Sequence, residues 1–248
     1  MNGHIYYSAG HTNALNHAIK QLRQKGGIFS GLPYQGVTHL LLDVPSFEVN
    51  GTLKGGRDIQ DLLNNLSKDI TVIGGNLTHP ALEDYKTIDL LQDPLYLSEN
   101  ADITAYCAIR LAMENLPITL RGCPTLVIGW GRIGKCLARL LKQLGGAVTV
   151  AARKETDRAM LSALGYNTAD PRNLESTLSQ YRVIFNTAPV MILPEATLSH
   201  CREECLKIDL ASVQGMDDDT VLWARGLPNR IAPESSGALI ARTILRLG

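Results

Sequence analysis

No charge of either sign is in surplus. Lys plus Arg and Asp plus Glu both number 24 in 248 residues, and the isoelectric point lies near 7.0. A protein that grips nucleic acid or an anionic membrane needs a basic excess, so neither is an expected partner. Long apolar runs are missing too: none approaches the roughly eighteen residues that a bilayer-spanning helix requires. The start, Met1-Asn2-Gly3-His4-Ile5-Tyr6-Tyr7, lacks the charged-then-apolar order of a secretory signal. The five cysteines (Cys107, Cys123, Cys136, Cys201 and Cys205) are odd in number and scattered, which argues against a disulfide framework. His200 stands beside Cys201 and Cys205, but no second pair sits at ligand spacing, so no metal is expected. These absences leave a cytoplasmic protein with reduced thiols. Its 45% apolar content suits a sizeable core, and its length suits one large or two small domains.

What is present centres on Thr125 to Arg153. Thr125-Leu126-Val127-Ile128 is a short apolar run of the kind found in buried parallel strands. Gly129-Trp130-Gly131-Arg132-Ile133-Gly134 follows directly as G-x-G-x-x-G. A helical stripe then runs through Ile133, Leu137, Leu140, Leu141 and Leu144, stopped by Gly145-Gly146, and Ala147 to Ala151 reads as a second strand. The glycine pattern alone is weak. Strand, glycine loop, helix and strand within about thirty residues is a dinucleotide signature. Gly129 permits the tight turn, Gly131 lets a pyrophosphate approach the backbone, and Gly134 lets the helix pack closely. The helix N-terminus then faces the anion.

The end of the second strand refines the ligand. An NAD site usually carries Asp or Glu there, bonded to the ribose 2′-hydroxyl. This chain reads Ala151-Ala152-Arg153-Lys154, and its first acid is Glu155. A guanidinium and an ammonium suit a 2′-phosphate, so NADP is expected over NAD. A solvated basic loop is the plainer alternative.

Residues 1–97 read as a smaller α/β unit. Strands near His4–Tyr7, Val37–Leu42, Ile70–Ile73 and Thr87–Leu90 alternate with helices from Thr12, from Asp58 and near Pro80, which implies a parallel sheet of flavodoxin-like type. The segment from Phe47 to Arg57, with Gly51, Gly55 and Gly56, reads as a surface loop. Ligands bind outside the carboxyl ends of parallel strands. His11, Ser46 and Asn76 follow three such ends and are the catalytic or substrate-side candidates, with His11 the candidate acid or base. Each has a local alternative: His11 in a turn, Ser46 capping the bend after Pro45, and Asn76 in the left-handed conformation that Asn tolerates.

Residues 98–248 read as a Rossmann domain, a doubly wound parallel sheet entered through a connecting helix over 98–116. Val183-Ile184-Phe185 opens into Asn186-Thr187-Ala188-Pro189, and the strand Cys205 to Leu210 closes into Ala211-Ser212. Arg230-Ile231-Ala232 reads as a last short strand before a final helix from Ser235 or Ser236. Thr187, Ala188, Pro189, Asp209, Ala211 and Ser212 are cofactor-side candidates beside Gly129, Trp130, Gly131, Arg132, Ile133, Gly134, Arg153 and Lys154. Asp209 equally reads as a strand-end residue bonding loop amides, and Arg132 as a partner of substrate or pyrophosphate.

From about Asn100 onward the motifs together resemble the dipicolinate synthase A family of endospore formation. They are Ala112-Met113-Glu114-Asn115 with Ile118-Thr119 and Gly122, the glycine loop, Ala151-Ala152-Arg153, Asn186 to Pro189, Ile208-Asp209-Leu210-Ala211-Ser212, Gly226-Leu227-Pro228 and Ile231-Ala232-Pro233 before Ser236-Gly237. The earlier residues match mainly in Leu42-Asp43-Val44-Pro45-Ser46 and Ile73-Gly74-Gly75. The resemblance implies a two-domain NADP-dependent dehydrogenase that oxidises a dihydrodipicolinate-type precursor, a small dicarboxylate, to pyridine-2,6-dicarboxylate. It also implies work in the mother-cell cytoplasm beside a flavoprotein-like second subunit; a homo-oligomer is expected.

Two positions depart from the family pattern. Thr104-Ala105-Tyr106-Cys107 stands where T-A-E-G is expected, and Glu234 stands where a Lys is expected. Two other readings therefore remain: an enzyme related to shikimate or 2-hydroxyacid dehydrogenases, and a dinucleotide-binding regulatory subunit without catalysis.

Overall fold

The computed structural model describes residues 3–248; Met1 and Asn2, where the reading of the amino terminus begins, lie outside them. The elements in chain order are β1 (Ile5–Ser8), α1 (Asn13–Gln24), β2 (Ile28–Phe29), β3 (His39–Leu41), α2 (Ile59–Leu63), β4 (Thr71–Gly74), β5 (Lys86–Asp89) and α3 (Pro94–Asn115). They continue with β6 (Pro124–Ile128), α4 (Arg132–Gln143), β7 (Ala147–Ala151), α5 (Glu155–Ala163), β8 (Asn167–Ala169), β9 (Val183–Asn186) and α6 (Glu195–Leu198). Then come β10 (Leu206–Asp209), β11 (Leu222–Trp223), α7 (Leu227–Ile231) and α8 (Pro233–Leu247). The chain divides into Met1–Asn100 with Pro228–Gly248, and Ala101–Leu227.

The first unit is a five-stranded, all-parallel sheet in the order β2-β1-β3-β4-β5. This is the flavodoxin-like order, whose direction of winding reverses between β1 and β3. On one face Leu40, Leu42 and Val72 meet Ile59, Leu62 and Leu63, all 2% exposed or less. That apolar face is why a five-residue helix holds its place: tertiary packing outweighs the weak propensity of so short a segment.

The helices α1 and α8 pack on each other within this unit. Thr12 caps α1 by accepting from the Leu15 amide, and the Asn229 side chain accepts from the Ala14 amide at 3.0 Å. Gly237 of α8 lies against the α1 backbone so closely that a Cβ there would stand 2.5 Å from Ala14 O. Arg246 of α8 meets Asp93 at 2.5 Å, which lowers the Asp93 pKa through that hydrogen bond first. Residues 228–248, expected in the second domain, therefore group with the first. The expected strand at Arg230–Ala232 is instead the end of α7 and its junction with α8. A three-residue apolar run fits either element, and here Pro233 starts a helix whose buried face needs α1.

The second unit is a six-stranded, all-parallel sheet in the order β11-β10-β9-β6-β7-β8. Counted from β6, that is 3-2-1-4-5-6, the Rossmann order, with the reversal between β6 and β9. Leu126, Ile128, Ile184 and Met216 form part of a core 1% exposed or less. The short strands β2 and β11, two residues each, carry too little pattern to be read from sequence.

A candidate dinucleotide site at the ends of four parallel strands

In the second unit the carboxyl ends of four strands are level. Ile128 pairs with both Asn186 and Ala151, and Asn186 pairs with Asp209. The candidate residues after β6, β7, β9 and β10 therefore emerge along one edge, astride the switch point.

Each glycine of the loop has a distinct physical reason. Gly129 has φ +104°, a conformation that side chains rarely adopt, and a Cβ there would lie 2.4 Å from Thr187 Oγ1. At Gly134 a Cβ would stand 2.1 Å from Gly129 O, so α4 could not pack so close to the loop. Gly131 is different: nothing lies within 4 Å of where its Cβ would be. The space in front of it is open, as a pyrophosphate approaching the backbone requires. Gly131 is also the N-cap of α4 and supplies no side-chain oxygen to the first-turn amides. Those amides point at the open space with the positive end of the helix dipole behind them.

Arg132, first in α4, is exposed, and Ile133 is half-buried. The Trp130 ring meets Tyr166 edge-on at 6.1 Å, with the Lys135 ammonium 5.7 Å from the ring centre. Thr187 bonds Ile128 O through both its amide and its hydroxyl, each at 2.9 Å, clamping the end of β9 to that of β6. Ala188 is half-buried, Pro189 exposed, and Ser212 exposed.

Beyond β7, Arg153 and Lys154 are both exposed, and among the described residues neither side chain has an ion-pair partner. Lys154 caps α5 with no side-chain bond of its own. Their backbone is held from the side. The Arg158 guanidinium donates to Ala152 O at 2.8 Å and Arg153 O at 2.9 Å, and sits 3.3 Å from Asp170. Hydrogen bonds from Arg172, ahead of the Arg158 charge, hold the Asp170 carboxyl well below the usual carboxylate range. Arg158 and Arg172 were not among the sequence candidates.

Two candidate positions serve the scaffold rather than a ligand. Asp209 is fully buried, and its carboxylate accepts from Asn186 Nδ2, from the Ala211 amide at 2.9 Å and from the Gly215 amide at 2.7 Å. It has no exposed oxygen to offer a cofactor, and it fixes the loops after β9 and β10. Ala211 completes that corner by accepting from Trp223 Nε1 at 3.0 Å. Ser46 is 1% exposed; its hydroxyl donates to Asp43 O at 2.7 Å and accepts from the Gly75 amide at 3.0 Å. With both capacities spent, it ties the end of β3 to that of β4.

In the first unit, His11 is exposed after β1, and its amide and that of Thr12 both donate to the buried Asp43 carboxylate. Asn76 is exposed at φ +56°, with its amide held by Asp89 at 3.1 Å. Glu234 lies in the first turn of α8, where an acid is favoured by the helix dipole, and Tyr106 is exposed on α3.

Strand order, glycine geometry and an uncapped helix N-terminus define a dehydrogenase-type α/β fold with a nicotinamide-dinucleotide-binding domain. Residues 109–217 match the family model described as D-isomer specific 2-hydroxyacid dehydrogenase, NAD binding domain. The chain is similar to dipicolinate synthase A of Bacillus subtilis, 26% identical over 236 residues, covering 87% of this chain and 79% of that protein. The crystal structure of dipicolinate synthase A from Bacillus halodurans has the same fold, with TM-score 0.86 at 21% identity, covering 98% of this chain and 97% of that one. The apo structure of Escherichia coli D-lactate dehydrogenase shares it more distantly, with TM-score 0.61 at 14% identity over 98% and 95% of the two chains. The resemblance read from the motifs beyond Asn100 thus extends over most of the chain.

Proposed function

We propose that the protein is an NADP-dependent oxidoreductase that oxidises a dihydrodipicolinate-type precursor to pyridine-2,6-dicarboxylate. The observation that carries the cofactor choice is the unpartnered Arg153–Lys154 pair at the level end of β7, where an NAD site would place an acid. The similarity to dipicolinate synthase A supports the substrate class. In this reading the Gly131 backbone and the first turn of α4 hold the pyrophosphate. Arg153 and Lys154 hold the 2′-phosphate, and the Thr187 loop passes the nicotinamide ribose. A bound nicotinamide supplies the hydride acceptor. Aromatising the dihydro ring also releases a proton. His11, exposed at the end of β1, is the residue that takes it, acting as general base. A flavoprotein-like second subunit, a homo-oligomeric assembly and a role in endospore formation belong to the same reading.

The test is direct. Purified protein is titrated with NADPH and NADH, then mixed with NADP⁺ and freshly generated dihydrodipicolinate, alone and with a flavoprotein subunit, while NADPH absorbance is followed. Tighter NADPH binding and substrate-dependent NADPH formation are expected. Tighter NADH binding would sink the cofactor choice. No turnover with this substrate in either mixture would sink the reaction.

A further inference from the structure

The first unit holds a second constellation at its own switch point, of which only His11 is legible in the sequence. The segment after Ser46 is more than a surface loop. Phe47 and Leu53 form an antiparallel bridge, and the Lys54 amide returns to Ser46 O at 3.0 Å. Leu53 N bonds Arg57 O and Gly56 N bonds Leu53 O, both at 2.9 Å, closing a tight turn. Gly55 and Gly56, at φ +93° and +84°, make that turn possible. A Cβ on Gly55 would stand 2.7 Å from His11 Cδ2, so the turn lies against the His11 ring. From its end, the Arg57 guanidinium reaches the Tyr7 hydroxyl at 3.4 Å.

Residues from β1, from the loop after it, and from the turn after β3 thus gather at the carboxyl edge where winding reverses. In such sheets this is where ligands bind. Arg57 and Lys54 have no carboxylate partner among the described residues. Two acids of these loops have other partners: Asp43 accepts from the His11 amide, the Thr12 amide and the Thr12 hydroxyl, and Asp58 from the Gln60 amide that starts α2. Arg57 donates to the Tyr7 oxygen, which leaves the Tyr7 O–H proton free to donate elsewhere. The hydroxyl of Ser8, the last residue of β1, is buried with no partner among the described residues.

We infer that Arg57, with the Tyr7 hydroxyl and His11 beside it, forms the subsite that binds a carboxylate of the substrate. A guanidinium offers paired N–H donors matched to a carboxylate, and the free Tyr7 proton supplies a further donor that fixes its orientation. This rests on the dicarboxylate reading above and assigns that reading its anchoring residue. Arg57 is then a specificity determinant that selects for the acid group.

The test measures binding by calorimetry, using dipicolinate and pyridine-2-carboxylate as probes, on wild type and on the Arg57→Met, Arg57→Lys and Tyr7→Phe variants. The NADPH dissociation constant and Tm are measured on the same samples. Loss of the guanidinium is expected to weaken dipicolinate binding by roughly thirtyfold, and loss of the Tyr7 hydroxyl by about fivefold, with Lys restoring part of the first loss. NADPH affinity and Tm stay near wild type, which separates a lost anchor from a lost fold. If wild type binds dipicolinate and Arg57→Met binds it equally well, the subsite is overturned and the dicarboxylate reading stands. If wild type ignores dipicolinate but binds pyridine-2-carboxylate in an Arg57-dependent way, the substrate reading falls and the carboxylate subsite stands. Binding of neither probe overturns both.

Discussion

Asn186 donates its side-chain amide to both carboxylate oxygens of Asp209, at 3.1 Å each, where β9 and β10 end side by side. The same amide also donates to Ala188 O at 3.0 Å, and Asn186 Oδ1 accepts from the Ala188 amide at 3.0 Å. One buried pair therefore sets the path of the loop through Thr187 to Pro189. Replacing Asp209 with Ala leaves the Ala211 and Gly215 amides without an acceptor in a dry site, and leaves Asn186 Nδ2 only Ala188 O. The expected cost is about 3 to 5 kcal/mol. Thermal unfolding should show Tm lower by roughly 10 °C. A variant with unchanged Tm would mean that the pair does not hold the loops.

The second and third glycines of the loop separate fold from ligand. Gly134→Ala drives a Cβ into Gly129 O, which costs fold and cofactor binding together. Gly131→Ala meets no protein atom within 4 Å, so Tm should move by less than about 1 °C. The added methyl instead occupies the space that a pyrophosphate needs, and dinucleotide affinity should fall at least about tenfold, or some 1.4 kcal/mol. If Gly131→Ala binds NADPH as wild type does, the pyrophosphate lies elsewhere.

At the β7 corner, Arg153→Ala should weaken NADPH binding by about ten- to a hundredfold, the range for a lost hydrogen bond to a charged group, and leave NADH nearly unchanged. Arg158→Gln should lower the same ratio less. It loosens the two carbonyls that aim the Arg153 turn without removing the cation proposed to meet the 2′-phosphate. Titration of both cofactors against each variant reads the ratio. Equal losses for NADPH and NADH would place these cations away from the 2′ position.

How far the sequence could be read follows from which signals are local. The Gly129 to Gly134 loop is legible because turn, approach and packing each demand glycine at a fixed spacing, and the parallel pairing follows from alternating strands and helices. Asp209 and Ser46 were harder, because a polar residue at a strand end looks the same whether it faces a ligand or a neighbouring amide. Only burial decides, and the partners lie 23 and 29 residues away in sequence. Arg57 escaped because nothing in a glycine-rich segment tells that it folds back onto β1. The unit to which the C-terminal helix belongs is hidden for the same reason: its partner, α1, begins more than two hundred residues earlier.

His39 gives the first unit an acid-sensitive point. It is 8% exposed at the start of β3, with its ring 4.3 Å from that of His4 and its Nδ1 2.8 Å from Thr38 Oγ1. Burial, then the nearby His4 and Lys86 charges, push its pKa down from 6.5 to about 4. The unfolded chain binds this proton more readily than the folded one. Stability is therefore full above about pH 6.5 and is lost as pH falls toward 4. At pH 5 the penalty is about 2 kcal/mol. His39→Gln should show a smaller drop in Tm between pH 7 and pH 5 than wild type. An equal drop would assign the acid sensitivity to other groups.

Gly237 tests the place of the C-terminal helix. In the middle of α8, Gly is worse than Ala by about 1 kcal/mol on propensity alone, so Gly237→Ala would stabilise a helix with room beside it. The room is absent: a Cβ would stand 2.5 Å from Ala14 O, 2.5 Å from His17 Cβ and 2.9 Å from Ala18 N, two of them backbone atoms that cannot rotate away. Separating α8 from α1 by the needed distance loosens contacts along both helices, for a cost of about 1 to 3 kcal/mol that exceeds the propensity gain. Gly237→Ala should therefore lower Tm by several degrees, and Gly237→Val further. Because the clash is confined to the first unit, NADPH affinity should be kept at temperatures below the transition. A higher Tm for Gly237→Ala would show that α8 does not sit against α1, and would return residues 228–248 to the second domain.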